Sequence, residues 1–357
     1  MSSSHIRLNA VRAVQFDEFQ GPIYLTERDL PVLRPHGVII KVMATGLCRS
    51  DWHGWQGHDS DIQTFPHVPG HEFAGIVDQV GQNVSQFQVG DRVTVPFVCG
   101  CGECPDCLSG NAQVCMFQWQ PGFNGPGSFA EYAAIPQADF NVVKIPDSMS
   151  FDTAAGLGCR FATAYRGIVH VAKVQPDETV AVFGCGGVGL AAIMIAKSRG
   201  ARVVAVDKSN AALDRARLAG ADLRLDAQFD EVLKDIKKFG HYGVDVTVDA
   251  LGSIDTASLA IESLKRLGRH VQIGLLPPAV TQGQASIPMH LVIGRELSVH
   301  GSHGMSAAAY PEMLEDIAAG RLRPETLIER VISLEQAPDA LATLADNPQP
   351  GVTIIRP

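Results

Sequence analysis

The chain lacks an excess of positive charge, a long uninterrupted apolar segment and an apolar leader. Its formal net charge is −9 at pH 7, which argues against nonspecific binding to nucleic acids or to anionic membrane surfaces. The longest apolar run, Thr179 to Ala196, is interrupted by glycines and falls short of the roughly 20 residues that span a bilayer. Residues 1–9 are polar, so we expect no secretory signal and a cytoplasmic protein with neither membrane nor nucleic-acid partners.

Charged residues are also scarce. They make up 19% of the sequence, against 46% hydrophobic residues, so we expect a well-packed core and no global disorder. A length of 357 residues predicts about two domains.

Two patterns of secondary structure follow one another. Up to about residue 155 the chain is β-rich, and Gly and Pro separate short strands at 38–43, 73–80 and 92–97. Farther on, apolar strands alternate with helices, which predicts an α/β fold with a doubly wound parallel sheet. The predicted strands are 179–183, 202–206, 244–250, 270–274 and 297–300, and the predicted helices are 187–199, 211–219 and 230–239. A helix at 310–322 and a strand at 352–355 are predicted to end the chain.

The most specific motif is a cluster of four cysteines. Cys101, Cys104, Cys107 and Cys115 have the spacing C-x2-C-x2-C-x7-C, and four such thiolates can complete the tetrahedral shell of a structural zinc ion. A closed shell leaves no position for a substrate, so this site is expected to stabilise a lobe of the protein. Two disulfides are the alternative, and the neighbouring Cys99 is expected to be a spare thiol.

A glycine-rich turn follows the strand predicted at 179–183. Its glycines are spaced as in a dinucleotide-binding loop, where the N–H groups that begin a helix can bind pyrophosphate. Asp207 ends the next strand, near the offset of about 20 residues at which a carboxylate binds the ribose hydroxyls. The pattern predicts NAD(H) over NADP(H), although Lys208 could tolerate a phosphate and Asp207 could be an ordinary strand-end charge. The cofactor-binding candidates here are Gly184, Gly186, Gly187, Val188, Gly189, Asp207 and Lys208.

A catalytic zinc ion needs fewer protein ligands and an open position. Cys48, His71 and Cys159 are candidate ligands, but their spacing alone does not show that they meet. Glu72 follows His71 directly and could be a fourth, exchangeable ligand. Asp51 is expected to accept a hydrogen bond from His71 and so fix its tautomer.

Several segments resemble the zinc-dependent medium-chain alcohol dehydrogenase family. Gly70-His71-Glu72-Phe73-Ala74-Gly75, followed by Gly81 and Val84, is similar to the family's zinc signature, and Cys48-Arg49-Ser50-Asp51-Trp52-His53 is similar to its first ligand segment. The four-cysteine lobe and the segments 127–132 and 158–163 follow in the family's order. The resemblance implies a GroES-like catalytic domain at 1–155, rejoined by about 300–357. It also implies a Rossmann NAD-binding domain at 156–299, with a cleft between the two.

The resemblance also implies roles for individual residues. Each chain would hold two zinc ions and NAD, with the catalytic zinc bound by Cys48, His71 and Cys159 and conditionally by Glu72. Ser50 would contact the zinc-bound oxygen, and His53 would lie farther along the proton path, reached through the cofactor ribose.

Two further residues would contact the cofactor. Arg49 would help to hold the pyrophosphate, and Thr163 would press against the nicotinamide. Some family members have an additional arginine near the C-terminus that contacts the pyrophosphate. The aligned position here is Val352, and Arg356 does not align with it. Most of the histidines are expected to be ordinary, whereas the roles of His58 and His67 stay open.

The implied reaction interconverts small-molecule alcohols with aldehydes or ketones by hydride transfer to or from NAD(H). The short stretch between Cys115 and Cys159 resembles the family's tetrameric microbial branch, so a homotetramer is expected, with a dimer as the alternative. Five aromatic residues either line an apolar substrate pocket or belong to the core: Trp52, Trp55, Phe97, Trp119 and Phe123.

Three other functions compete with this interpretation. A polyol or amino-alcohol (sorbitol- or threonine-type) dehydrogenase would use the same machinery. A catalytically silent zinc- and NAD-binding structural protein would not need Ser50, His53 and the complete ligand set. A zinc-ribbon nucleic-acid binder is disfavoured by the acidic charge.

Overall fold

The computed structural model describes residues 10–228, 230–276, 287–346 and 351–357. The polar segment 1–9, on which the expectation of no secretory signal depends, lies outside these ranges. The described residues form two compact units. The first contains the described chain up to Cys159 together with Ser306–Tyr310 and Arg330–Pro357, and the second contains Arg160–Met305 and Pro311–Glu329.

The strands of the described ranges are numbered in chain order. They are β1 (Ala10–Phe16), β2 (Ile23–Asp29), β3 (Val38–Leu47), β4 (Glu72–Val80), β5 (Arg92–Thr94), β6 (Tyr132–Ile135), β7 (Val143–Lys144), β8 (Thr179–Phe183), β9 (Arg202–Asp207), β10 (Leu223–Asp226), β11 (Val244–Asp249), β12 (Leu264–Gln272), β13 (Ser298–Gly301), β14 (Ile328–Ser333) and β15 (Val352–Arg356).

The α-helices are numbered in the same way. They are α1 (Arg49–Trp55), α2 (Pro105–Leu108), α3 (Ala138–Asn141), α4 (Phe151–Ala155), α5 (Ala162–Tyr165), α6 (Gly187–Ser198), α7 (Asn210–Leu218), α8 (Val232–Phe239), α9 (Ile254–Glu262), α10 (Met289–Gly294), α11 (Tyr310–Ala318) and α12 (Ala337–Ala342). Two π-helical turns flank α5, at Leu157–Phe161 and Arg166–Val171, and single 3₁₀ turns lie at Ala112–Val114, Ala307–Ala309, Pro324–Leu327 and Leu334–Gln336. No helix within the described ranges is long and apolar enough to cross a bilayer.

An antiparallel sheet forms the framework of the first unit. Its strand order is β14-β15-β3-β4-β5-β7, with β6 beside β3, while β1 and β2 pair separately. Val38, Ile40 and Val42 of β3 share one buried apolar cluster with Phe73 and Val77 of β4. Because alternate residues of a strand point to the same face, this face of the sheet forms a core of the unit.

The register of β3 and β4 brings two distant segments together. Gly46, near the end of β3, pairs with Glu72, the first residue of β4. Since the strands are antiparallel, Cys48 just beyond β3 lies opposite the residues just before β4, which include His71. On its other edge, β3 pairs with β15 through Leu47 and Thr353.

The second unit contains a six-stranded sheet in the order β10-β9-β8-β11-β12-β13. All of its strand pairs are parallel, so the predicted doubly wound sheet is confirmed. Every residue of β8 is buried, as expected for a central strand that is covered on both faces. The chain order reverses between β8 and β11, and ligands of such sheets bind at the carboxyl ends of the strands beside this reversal.

The predicted return of the chain to the first unit at about residue 300 differs from the structure. Residues Pro311–Glu329, which include most of α11, belong to the second unit. Asp316 on α11 accepts a 2.7 Å hydrogen bond from the Tyr165 hydroxyl and forms a 2.7 Å ion pair with Arg199. Because a buried carboxylate requires such partners, this network anchors α11 to the second unit.

Several other elements also depart from the predicted pattern. The sequence did not predict β1, β2, β10 or α9. The strand predicted at 92–97 ends at Thr94, and the Phe97 N–H instead donates to the Gly158 carbonyl at 3.1 Å. This hydrogen bond ties the chain after β5 to the segment that contains Cys159.

Candidate metal centres and cofactor site

Four potential metal ligands meet in the first unit. The donor atoms of Cys48, His71, Glu72 and Cys159 all lie within 4.8 Å of one another. Cys48 follows β3, His71 and Glu72 stand at the start of β4, and Cys159 lies in the π-helical turn Leu157–Phe161. The structure therefore brings together every residue that the sequence proposed for the catalytic zinc.

Asp51 connects two of the ligand segments. Its carboxylate accepts a 2.8 Å hydrogen bond from Nδ1 of His71, which confirms the predicted contact. It also accepts bonds from the backbone N–H groups of Cys48 at 2.9 Å and Gly70 at 3.1 Å. Because Nδ1 of His71 is the donor to Asp51, Nε2 is the nitrogen that can offer its lone pair to a metal ion in exchange for a proton.

Nε2 of His71 provides a test of whether this group suits a cation. Among the described residues, it is one of the few buried side-chain polar atoms without a hydrogen-bond partner. Burial lowers the pKa of His71, but the Asp51 carboxylate and the Cys48 thiolate outweigh burial and hold that pKa well above its usual range. The site thus attracts positive charge, and a zinc ion with imidazole and thiolate ligands satisfies both observations.

The segment with Cys159 has an anchor that the sequence did not reveal. The Gly158 carbonyl accepts a hydrogen bond from the Tyr310 hydroxyl at 3.3 Å as well as from the Phe97 N–H. Tyr310 is fully buried, and burial raises the pKa of its hydroxyl well above the usual range, aided by the charges of Cys159, Cys99 and Glu72. Tyr310 is 152 positions away from Gly158, so no local pattern could have indicated the contact.

The four-cysteine motif forms a second donor group. The Sγ atoms of Cys101, Cys104, Cys107 and Cys115 lie within 4.8 Å of one another. Those of Cys101 and Cys107 are 3.9 Å apart, and those of Cys104 and Cys115 are 3.7 Å apart. Sulfur atoms bound tetrahedrally to zinc at about 2.3 Å are about 3.8 Å apart. No disulfide joins these cysteines, so the disulfide alternative is wrong.

Backbone N–H groups support the thiolates of this group. The N–H groups of Glu103 and Cys104 lower the pKa of Cys101 to about 7, and Cys115 accepts bonds from the N–H groups of Cys101 and Phe117 at 3.4 and 3.3 Å. Burial instead raises the pKa of Cys107 to about 12 and also raises that of Cys115, so a bound cation would be needed to keep these two deprotonated. Deprotonated sulfur is the form that binds metals. Cys99 lies outside both donor groups found among the described residues, and its Sγ instead contacts the Pro96 carbonyl at 3.7 Å.

Two of the five predicted aromatic residues lie beside the first donor group. The rings of Phe97 and Phe123 are 6.0 and 5.1 Å from the His71 ring. Trp119 packs instead against the core of the antiparallel sheet, and the Trp55 indole donates to the Gly21 carbonyl at 2.9 Å. Trp52 packs in a separate core cluster, so the five residues do not form one pocket wall.

The residues proposed for proton transfer lie on α1. The Ser50 hydroxyl is 3.8 Å from the Cys48 sulfur, which brings it next to the first donor group. Nδ1 of His53 lies 2.9 Å from Nδ1 of His58. The Arg49 guanidinium stacks at 4.4 Å over the Trp52 ring. His67, which the sequence left open, is buried and bonds to the Gly122 carbonyl at 2.9 Å, as an ordinary core histidine does.

The glycine loop joins β8 to α6 in the second unit. Gly184 has φ +88°, a conformation that strongly favours glycine. A Cβ atom on Gly189 would lie 1.8 Å from the Gly184 carbonyl oxygen, so only glycine lets α6 pack this closely. A Cβ atom on Gly186 would meet no atom within 4 Å. The space beside Gly186 can therefore admit a phosphate, and Gly187 and Val188 begin the helix with N–H groups that can bind it.

Asp207 lies where the sequence predicted it, at the end of β9. Its carboxylate accepts bonds from the N–H groups of Cys185 at 2.7 Å and Ser209 at 2.9 Å, so it is held next to the glycine loop. Lys208 beside it is exposed, and Thr163 is buried on α5. Arg356 forms a salt bridge with Asp152, in which its Nε donates at 3.1 Å.

Two family models match the sequence. The alcohol dehydrogenase GroES-like domain covers residues 34–147, and the zinc-binding dehydrogenase domain covers residues 187–319. An alcohol dehydrogenase of Geobacillus stearothermophilus is 34% identical over 321 residues, which make up 89% of this chain and 92% of the relative. The chain belongs to the zinc-dependent medium-chain alcohol dehydrogenase family.

Solved structures of other alcohol dehydrogenases and zinc-binding dehydrogenases have the same fold. Alcohol dehydrogenase TADH from Thermus sp. ATN1 is 29% identical, with a TM-score of 0.87 over 97% of this chain and 99% of that one. A putative zinc-binding dehydrogenase from Sinorhizobium meliloti 1021, bound to NADP, is 28% identical, with a TM-score of 0.87 over 98% of this chain and 100% of that one. The predicted fold class of this medium-chain dehydrogenase, a Rossmann-like sheet plus a β-rich GroES-like domain, is confirmed, and the chain is an oxidoreductase of the alcohol dehydrogenase type.

Proposed function

We propose that this protein uses NAD(H) and zinc to interconvert small alcohols with aldehydes or ketones. The single observation that best supports the proposal is the buried, unpartnered Nε2 of His71, which faces two thiolates and a carboxylate within 4.8 Å. Such a mixed set of donors is typical of catalytic zinc, whereas the four-thiolate group is typical of structural zinc. The relatives compared above do not favour the polyol or amino-alcohol alternative.

Each chain would hold two zinc ions. Cys48, His71 and Cys159 would bind the catalytic ion, with Glu72 as an exchangeable ligand, and Cys101, Cys104, Cys107 and Cys115 would bind the structural ion. When bound, zinc supplies Lewis-acid polarisation of the substrate oxygen, and NAD accepts or returns the hydride.

The chain's own side chains would position the substrate and move its proton. The Ser50 hydroxyl, next to the Cys48 sulfur, would accept a hydrogen bond from the substrate hydroxyl. His53 would serve as the base that receives the proton farther out. Phe97 and Phe123 beside His71 would exclude water and give the site an apolar wall.

The second unit would bind the cofactor through the loop after β8. The N–H groups at Gly186, Gly187 and Val188 would bind the pyrophosphate, and Asp207 would accept bonds from the ribose hydroxyls. Asp207 would also repel a 2′-phosphate, which supports NAD(H). Lys208 stands next to Asp207, and the Sinorhizobium meliloti neighbour is bound to NADP, so the ratio of the NAD and NADP Kd values is the measurement that decides the cofactor. Arg49 and Thr163 remain proposed contacts of the pyrophosphate and the nicotinamide.

A substrate panel tests the proposal. Wild-type enzyme should oxidise simple primary and secondary alcohols with NAD faster than it oxidises sorbitol-type polyols or threonine, and Asp207→Ser should shift the ratio of the NAD and NADP Kd values toward NADP. Cys48→Ala and His71→Ala should abolish turnover but retain NADH binding, measured by fluorescence. Tighter NADPH than NADH binding in the wild type would contradict the assigned cofactor.

Assembly and location are further parts of the proposal. A homotetramer is supported by the resemblance of the stretch between Cys115 and Cys159 to the tetrameric branch, and sedimentation velocity would distinguish it from a dimer. None of the eight cysteines is in a disulfide, as is usual in a reducing compartment, which supports a cytoplasmic location.

A further inference from the structure

A pair of histidines lies at the outer end of the proposed proton path. His53 is on α1 and His58 follows shortly after that helix, and their Nδ1 atoms are 2.9 Å apart. The Trp52 ring lies edge-on to both imidazoles, at 5.1 Å from His53 and 5.9 Å from His58. His53 is half-buried and His58 is exposed. The pair therefore connects the partly enclosed end of α1 with solvent.

The distance between the two nitrogens restricts their protonation. A 2.9 Å contact is a hydrogen bond only if one Nδ1 carries a proton and the other offers its lone pair. Two imidazolium ions would both be donors and would repel each other. The pair therefore shares one bridging proton, which either ring can hold.

We infer that His58 is a second imidazole of the proton path, which takes the proton of His53 and releases one to water. This inference rests on the proposed function. During alcohol oxidation, Nε2 of His53 gains the substrate's proton while the bond from Nδ1 of His53 to its hydrogen breaks. A new N–H bond forms at Nδ1 of His58, and the proton on Nε2 of His58 passes to water. No electrons are transferred, and the reversed hydrogen bond leaves the pair ready to deliver a proton for carbonyl reduction.

The electrostatic surroundings favour outward transfer. Burial lowers the pKa of His53, and the positive charges of Arg49 and His58 lower it further, while Cys48 and Asp59 act in the opposite direction. A lowered pKa means that His53 stays neutral, and able to accept a proton, to a lower pH than an exposed histidine. It also means that a proton does not stay long on His53 when an exposed acceptor is in contact.

Proton release in a single turnover tests the inference. The experiment compares the wild type with His58→Ala and His58→Asn. Each protein would be mixed with NAD and alcohol in a weakly buffered solution that contains a pH-indicator dye, which reports proton release. His58→Asn keeps a side chain that can hydrogen-bond to His53 but cannot carry a proton. The matched control is His290→Ala, which removes an exposed histidine on α10.

We expect proton release at pH 6.5 to be at least about fivefold slower in both His58 variants, a smaller effect than the 10²–10⁴-fold that a positioned acid or base in contact with the substrate contributes. The defect should disappear above about pH 9, where hydroxide accepts the proton directly. Added imidazole should restore the rate of proton release in His58→Ala. His290→Ala should match the wild type. A purely structural role for His58 would produce neither the pH dependence nor the rescue.

A second readout does not depend on turnover. Imidazole NMR titrations of the zinc-loaded protein, without NAD or alcohol, should show that the pKa of His53 rises in His58→Asn, because the electrostatic effect by which His58 lowers that pKa is lost. An unchanged His53 titration would overturn the inference, as would wild-type proton release in His58→Asn. If the wild type oxidised no alcohol, the proposed function would fail instead, and the titration would still report on the pair.

Discussion

At the scale of single residues, Asp51 shows how one carboxylate organises a group of potential metal ligands. It accepts hydrogen bonds from the side chain of His71 and from the backbone of the Cys48 and Gly70 segments. Two ligand segments therefore share one acceptor, which also selects the tautomer of His71. Asp51 was predictable because its position relative to Cys48 resembles the family pattern, whereas its two backbone contacts were not.

Replacing Asp51 tests this arrangement. Asp51→Asn removes the negative charge, and a ligand-orienting partner of this kind typically contributes 10- to 100-fold in metal affinity. We expect a loss of about that size in affinity for one of the two zinc ions, measured by competition with a chromogenic chelator, while the other ion is retained. Asp147→Asn, at a fully exposed side chain, is the control. Unchanged affinity for both ions would rule out this role.

Tyr310 is a second single residue that supports the first donor group, in this case through a hydrogen bond to the backbone of Gly158. Tyr310→Phe removes the hydroxyl that donates to the Gly158 carbonyl, which also accepts a hydrogen bond from the Phe97 N–H. We expect the free energy of unfolding to fall by about 1 kcal/mol and the zinc ion bound near Cys159 to dissociate faster. Urea denaturation and zinc-release kinetics would measure the two effects. Tyr242→Phe, at an exposed tyrosine, should change neither, and equal behaviour of the two variants would contradict the anchoring role.

At the scale of elements, different glycines of the loop between β8 and α6 allow close packing and leave space for a ligand. Gly189 touches the Gly184 carbonyl, so a methyl group there must push α6 away from β8, whereas a methyl group on Gly186 enters open space. These two glycines belong to the same motif, but the contacts of each give it a different function.

The two alanine variants form a matched pair. Gly189→Ala should lower the free energy of unfolding by about 1–3 kcal/mol, as overpacking typically does. Gly186→Ala should keep wild-type stability but bind NADH more weakly, because its methyl group occupies the space proposed for the pyrophosphate. Thermal unfolding and NADH fluorescence titration measure both properties. If Gly186→Ala bound NADH as the wild type does, the phosphate would have to lie elsewhere.

Elements with strong local patterns were predictable, and those defined by distant partners were not. The buried strand β8 and the helix α6 follow from an apolar run and a glycine turn. The short strand β5 ends before Pro96, and the Phe97 N–H beyond it bonds to the distant Gly158 carbonyl. The helix α11 joins the second unit, where Asp316 pairs with Tyr165 and Arg199. Likewise, the ligand types were visible in the sequence, but their meeting depends on the register of β3 with β4.

At the scale of the whole molecule, the two donor groups should hold zinc with different strengths. The four-thiolate group forms a closed shell, whereas the group at Cys48 is expected to keep an open position that admits a chelator. Activity and overall stability should therefore be lost in separate steps when zinc is removed.

Timed chelation tests this expectation. We expect about one zinc ion per chain to leave first, together with all activity and little change in Tm, and a slower second release to lower Tm, because structural zinc contributes folding free energy. Cys104→Ser should start with one ion fewer and a lower Tm. Simultaneous loss of both ions with activity would contradict the assignment of one closed and one open site.

The pairing of β15 with β3 has a consequence for biosynthesis. Cys48 directly follows β3, and the end of β3 nearest Cys48 pairs on one edge with β15, which is synthesised long after the residues of both donor groups. The four-cysteine lobe can emerge, and would be able to bind an ion, long before β15 is translated. The sheet beside Cys48 stays incomplete until β15 has been synthesised, so a nascent chain stalled before β15 would be expected to load the four-cysteine group alone.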